Sequence, residues 1–181
     1  MAKNRIVLSD TELLSYSALH LHYEIAMCIV GSALLSFGFK FESQMPALDT
    51  EEVQKVVRFA MLEAFAVHLR NLIDFFYPAR VPTDSDVIAD DFFPNGVRPN
   101  NFPQLSNSLK DARKRAHKQV AHLTNERLPD RDSGKQWKFV ELRNDIGSVL
   151  RLFVDAASPD KLHPSVPELV RMVTPRRAGA F

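Results

Sequence analysis

The stretch Thr50–Phe76, TEEVQKVVRFAMLEAFAVHLRNLIDFF, decides the fold. Asp49 or Thr50 can cap a helix whose first turn carries Glu51 and Glu52, where carboxylates meet the positive end of the helix dipole. Nothing breaks it before Pro78, so one helix is expected to reach Phe76. Helical placement at about 100° per residue puts Val53, Val57, Ala60, Met61, Ala64, Leu72 and Phe75 on one apolar stripe. His68 and Asn71 fall on that stripe too. Aimed at a core they need partners, because an unpaired buried imidazole or amide costs about 1–3 kcal/mol.

Working outward, Ser9 and Glu12 form a capping-box pattern that starts a first helix near Asp10. It is expected to run through Leu13, Leu14, Leu19, Ile25 and Val30 and to end by about Leu35, ahead of Gly38 and Pro46. A third helix is expected from Gln104 to about Arg127, with Leu105, Leu109, Ala112, Ala116, Val120 and Leu123 at spacings of three and four. The fourth is expected from about Gln136 to Ala157, burying Trp137, Val140, Ile146, Val149, Leu150 and Phe153. Between helices two and three, Pro78 to Pro103 holds five prolines and the acidic residues Asp84, Asp86, Asp90 and Asp91. No continuous helix fits there, yet Val87, Ile88, Phe92 and Phe93 would tether the segment, with one short helical turn docked on the bundle. The reading is all-α: a four-helix up-down bundle over residues 1–157 with a proline-rich insertion, then a proline-rich tail, 158–181, with at most one short helix around Glu168 to Met172.

Composition narrows the function. The 181 residues carry 23 Lys and Arg against 22 Asp and Glu, so no whole-molecule field draws the chain to nucleic acid or a membrane. One cysteine excludes an internal disulfide framework and a cysteine zinc site; Cys28, between Met27 and Ile29, reads as an inert buried thiol. The apolar run Ile6–Leu8 is too short for a secretory signal, and the uncharged run Ile25–Phe39 is short for a membrane span, so a cytoplasmic protein is expected. With six glycines and no phosphate-cradling fingerprint, no nucleotide cofactor is expected. His20 with Glu24 and His122 with Glu126 have one-turn spacing, but they read as surface pairs, and no metal is expected.

The segment Lys110–Lys118, KDARKRAHK, packs five cations and one Asp into nine residues of the third helix. Arg115, Gln119, His122 and Glu126 step along one edge of its apolar stripe, and Arg113, His117 and Thr124 along the other. Arg115 and His122 lie two turns apart, about 10 Å along the axis, on one face. Arg113, Lys114 and Lys118 are the candidate nucleic-acid cations of this run.

An Arg and a His separated by six residues on a late helix of a bundle resemble the signature of the HEPN superfamily, over about Thr50 to Ala157. The resemblance implies a metal-independent ribonuclease of a toxin or defence system, acting as a dimer with the pair at the interface. Arg115 would steady phosphate charge and His122 would move protons, with His68, Asn71 and Gln119 as supporting polar groups. The commoner family pattern is Arg-Asn, three residues, then His; here His117-Lys118 stands in that place, while an Arg-Asn pair occurs at Arg70-Asn71 behind His68. Either the constellation spans two helices or the catalytic form has been lost. The segments HLRNLIDFFYP, ADDFFP and AHLTNER also resemble bacterial helical proteins, a likeness that implies no activity.

Plainer readings stand beside these. The basic run can be a solvated face neutralised by the acidic insertion, and His68, Asn71 and His122 can form a polar cluster that sets the register of helices two and three. Two functions follow: RNA cleavage, or a non-catalytic bundle that binds a partner protein, such as an antitoxin, or nucleic acid. A homodimer is expected from the resemblance and from exposed apolar residues of the insertion.

Overall fold

The computed structural model describes residues 5–38, 50–117 and 137–174, and among them the only regular secondary structure is helical. Helix α1 covers Asp10–Phe37. The capping box opens it as the sequence predicts: the Ser9 hydroxyl accepts from the Glu12 amide, and the Glu12 carboxylate accepts from the Ser9 amide at 2.8 Å. Within it, Ser17–Leu21 is a π-helical turn. The wider turn has a packing reason. Leu13, Ser17, Leu21 and Ile25 are all buried at steps of four residues, a spacing that drifts about 40° per step on an α-helix. Unwinding one turn cancels part of that drift and keeps the four on one face. Gly38, in the left-handed region at φ 77°, closes the helix.

Helix α2 is Glu51–Phe76, capped by the Thr50 hydroxyl. Helix α3, Asn107–Arg115, starts at the Ser106 cap, three residues later than expected from Gln104. Ser106 is extended and its hydroxyl accepts from the Leu109 amide, while the Ser106 and Ser108 hydroxyls both donate to Asp145. The expected continuation from Lys118 to Arg127 lies outside the described residues. Helix α4 is Phe139–Ala156, starting three residues after the expected Gln136, and α5 is Ser165–Val173, longer than the expected Glu168–Met172. Helix α1 packs along α2 and also meets α4 and α5; α2 and α4 both pack against α3.

The core differs from the expected stripes in a consistent way. On α1, Leu13 and Ile25 are buried, but Leu19 and Val30 are exposed; the buried face is instead Leu21, Cys28, Ile29 and Leu35. On α2, Leu72 and Phe75 are buried as expected, joined by Phe65, Leu69, Ile73 and Phe76, whereas Ala60 is exposed and Val53 and Val57 are only half-buried. On α4, Val140 is exposed while Ile146, Val149, Leu150 and Phe153 are buried. Periodicity finds a face, but α1 and α2 each carry apolar residues on two faces, and only packing selects between them.

The insertion is part of the core. Ala89–Phe92 forms one 3-10 turn, and Phe92 and Phe93 are fully buried, so neither is available to an interface. Both rings meet Phe153 edge to face, at 5.7 and 5.8 Å, and Phe153 also contacts Phe75 and Phe76 of α2. The chain then turns through Asn95 and Gly96, both at positive φ, where an asparagine and a glycine are the residues best suited. Beyond Ser158, Leu162, Val166, Leu169 and Val170 enter the same core.

Helix α1 is also long and apolar enough to cross a membrane by length and composition, a test that core helices of soluble proteins pass as well.

Candidate functional site

Four arginines and a lysine fasten the insertion and the helix ends. Arg5 reaches Asp91, which is 5% exposed, through both guanidinium branches, one at 3.0 Å, and also donates to the Asp86 carbonyl. The same carboxylate accepts from the Ile88 amide at 3.0 Å, and Lys161 donates to the Asp91 carbonyl. Arg98 pairs with Asp90 and donates to the Phe76 carbonyl at 2.7 Å, its guanidinium lying 4.8 Å from the Phe102 ring centre. Arg113 donates to the Tyr77 carbonyl at 2.9 Å and reaches Asp74. Two cations therefore sit on the last carbonyls of α2, where the helix dipole is negative. Arg80 pairs with Asp86, whose carboxyl is held below its ordinary value first by the Thr83 amide and then by the Thr83 hydroxyl. The acidic insertion thus pairs with Arg5, Arg80 and Arg98.

The polar groups expected on α2 do come together, with a partner the sequence reading missed. His68 Nδ1 lies 2.8 Å from Glu24 Oε2 of α1, and Asn71 Nδ2 donates to both oxygens of the same carboxylate at 3.2 and 3.3 Å. Asn71 is exposed and His68 half-buried, so the pair lies at the seam between α1 and α2 rather than in the core. The Tyr23 ring stands perpendicular to His68, at 5.2 Å between centroids, and one turn away Tyr16 contacts His20. Burial raises the Tyr16 hydroxyl above its ordinary range, and the Glu24 charge adds to this. Glu24 is therefore engaged by α2 rather than sharing a metal with His20; no cluster able to hold a metal exists among the described residues. A carboxylate at Nδ1 makes that nitrogen the proton donor and leaves Nε2 to take or give a proton. This is a carboxylate-oriented imidazole, the unit from which general acid–base sites are built. The one-turn pair His68/Asn71 was legible, but the acid 44 residues earlier had no local signal.

The other expected site residues distribute differently. Arg115 lies with its guanidinium 4.8 Å from the ring centre of Trp137. Lys114 is exposed, and Arg113 is tied to the end of α2. Lys118, Gln119 and His122 lie outside the described residues, so the Arg115–His122 pairing has no geometry here. Cys28 is fully buried in α1 and its thiol is pushed far up, first by burial and then by Glu24. The thiolate, the reactive form, is suppressed.

No protein-family model matches this chain, and no curated protein or solved structure matches it.

Proposed function

We propose that the chain is an RNA-cleaving helical domain of the HEPN-like kind, an up-down four-helix bundle acting without a metal as a cytoplasmic toxin or defence effector. The observation that carries this reading is the Glu24–His68 contact at 2.8 Å, with Asn71 on the same carboxylate. It supports a constellation that includes His68 and Asn71 of helix two, with Glu24 of helix one as the carboxylate that orients them. His68, oriented by Glu24, exchanges a proton with a ribose hydroxyl, and Arg115 and His122 supply phosphate stabilisation and a second proton carrier from helix three. Gln119 is a further polar group on that helix edge. RNA cleavage in the presence of EDTA tests it. His68→Ala and His122→Ala should each lower the rate by about 10²–10⁴-fold, the range for losing a general acid or base, with the unfolding transition retained.

A second reading has its own support. Arg113 is held by α2 and Arg115 lies against Trp137, so two of the five cations of the basic run serve packing. Lys110 and Lys114, both exposed, then form part of a docking surface for a partner protein or nucleic acid on a non-catalytic bundle. A folded protein that binds RNA or a partner but leaves RNA intact under all conditions favours this reading.

A further inference from the structure

Helix α1 brings a second imidazole to the seam where Glu24 meets His68. Tyr16, His20 and Glu24 follow one another at steps of four residues, so they share one side of α1. That side faces α2, because Glu24 receives both His68 and Asn71. Tyr16 is close enough for the Glu24 charge to act on it: burial first, and then that charge, raise its hydroxyl. His20, between the two, is exposed, with its ring against Tyr16 at 5.1 Å between centroids. It belongs to the π-helical turn Ser17–Leu21, a kind of turn frequent at functional sites. His22, two residues on, is turned about 200° away and does not share this side.

We propose that His20 is the general acid of this site, protonating the 5′-oxygen that leaves when His68 takes the proton of the neighbouring 2′-hydroxyl. This rests on the RNA-cleaving reading above and completes its acid–base pair on α1 and α2. His122 then joins Arg115 on the phosphate charge, where losing one stabilising group costs about 10²–10³-fold. Glu24 keeps the His68 proton on Nδ1 and leaves Nε2 as the acceptor, so the acid role falls to the other imidazole. The step balances: the 2′-oxygen attacks phosphorus as its proton passes to His68 Nε2, the P–O5′ bond breaks, and His20 gives its proton to the departing oxygen. A 2′,3′-cyclic phosphate and a 5′-hydroxyl are left, and no co-reactant is consumed.

Spacing selects His20. In-line displacement puts the attacking and leaving oxygens on opposite sides of phosphorus, so two nitrogens that each reach about 3 Å to one of them stand about 6–9 Å apart. His20 is four residues from Glu24, an offset of about 6 Å along the axis, and Glu24 touches His68. The two imidazoles therefore flank one carboxylate at a separation that a single phosphodiester spans. They come no closer than that: His20, Glu24 and His68 do not form a cluster able to hold a metal.

Leaving-group chemistry tests the assignment. The full chain is assayed in EDTA on an RNA oligonucleotide and on the same RNA with sulfur replacing the bridging 5′-oxygen at the linkage it cuts. The oxygen must be protonated as it leaves; the sulfur departs as a thiolate without a proton. His20→Ala should lower the cleavage rate of the oxygen linkage by about 100-fold or more and that of the sulfur linkage by under about 10-fold, whereas His68→Ala should lower both. His20 is exposed, so the variant should keep the parental circular dichroism and urea midpoint. Equal losses on the two linkages would make His20 a structural or substrate-binding residue and overturn the proposal. So would an unchanged rate on ordinary RNA, which leaves the functional reading standing. A parent chain that cuts neither RNA overturns the functional reading and this proposal together.

Discussion

Removal of the Arg5 side chain isolates the energetic role of the insertion's main tether. Asp91 is 5% exposed, and its carboxylate has two kinds of donor: the Arg5 guanidinium and the Ile88 amide. Arg5→Ala leaves a buried carboxylate with the amide alone. Breaking a buried ion pair from one side costs about 3–5 kcal/mol, because the surviving charge keeps its desolvation penalty. Arg5 is 17% exposed, so some water can replace it and the lower end applies, about 3 kcal/mol. Asp91→Asn removes the charge but retains an acceptor for Ile88, and should cost less, about 1–2 kcal/mol. The double variant should cost at least about 1 kcal/mol less than the sum of the two, since they share one contact. Urea unfolding of the four proteins at neutral pH gives the cycle, and hydrogen exchange should show the Ile88 and Phe93 amides opening first in Arg5→Ala. A loss below about 1 kcal/mol for Arg5→Ala, or strict additivity, would refute the reasoning and reduce the contact to an ordinary surface pair.

Two glycines make opposite predictions. A Cβ on Gly147 would lie 3.0 Å from Thr174 Cγ2, so Gly147→Ala should destabilise by about 1 kcal/mol, crowding outweighing helix propensity. A Cβ on Gly31 meets Phe65 Cβ at an ordinary 3.7 Å, so Gly31→Ala should stabilise by up to about 1 kcal/mol; thermal melts read both signs. Cys28 should resist a thiol reagent at neutral pH in the native protein and react fully in urea, because burial suppresses its thiolate. Asp86, depressed below its ordinary 3.8 in the folded chain, adds stability above that value and loses it as pH falls through the folded one. Asp86→Asn should therefore lower stability near neutrality and flatten its decline below about pH 4, as read by urea midpoints across pH.

Helix α2 shows how far local reading reaches. Its cap at Thr50, its acidic first turn and its stop before Pro78 are all local signals, and the structure starts and ends the helix at Glu51 and Phe76. The Ser9–Glu12 box is equally local and equally present. Where the expectations failed, a choice between faces was involved. Ala60 of α2 and Val140 of α4 were placed on buried faces because hydrophobicity carries no direction; the structure turns both outward. The π-helical turn that aligns Leu13 with Ile25 likewise answers to packing and has no signature in the residues of the turn itself.

What the sequence determined by itself was the helices and their breaks, since caps, prolines and 3.6-residue periodicity act within a few residues of the chain. Only tertiary structure decided which apolar face is core, that Glu24 is the acid behind His68, and that Asp91 belongs to Arg5. The physical reason is distance along the chain: those contacts join residues 44 and 86 positions apart, and their energies depend on burial that no local window contains.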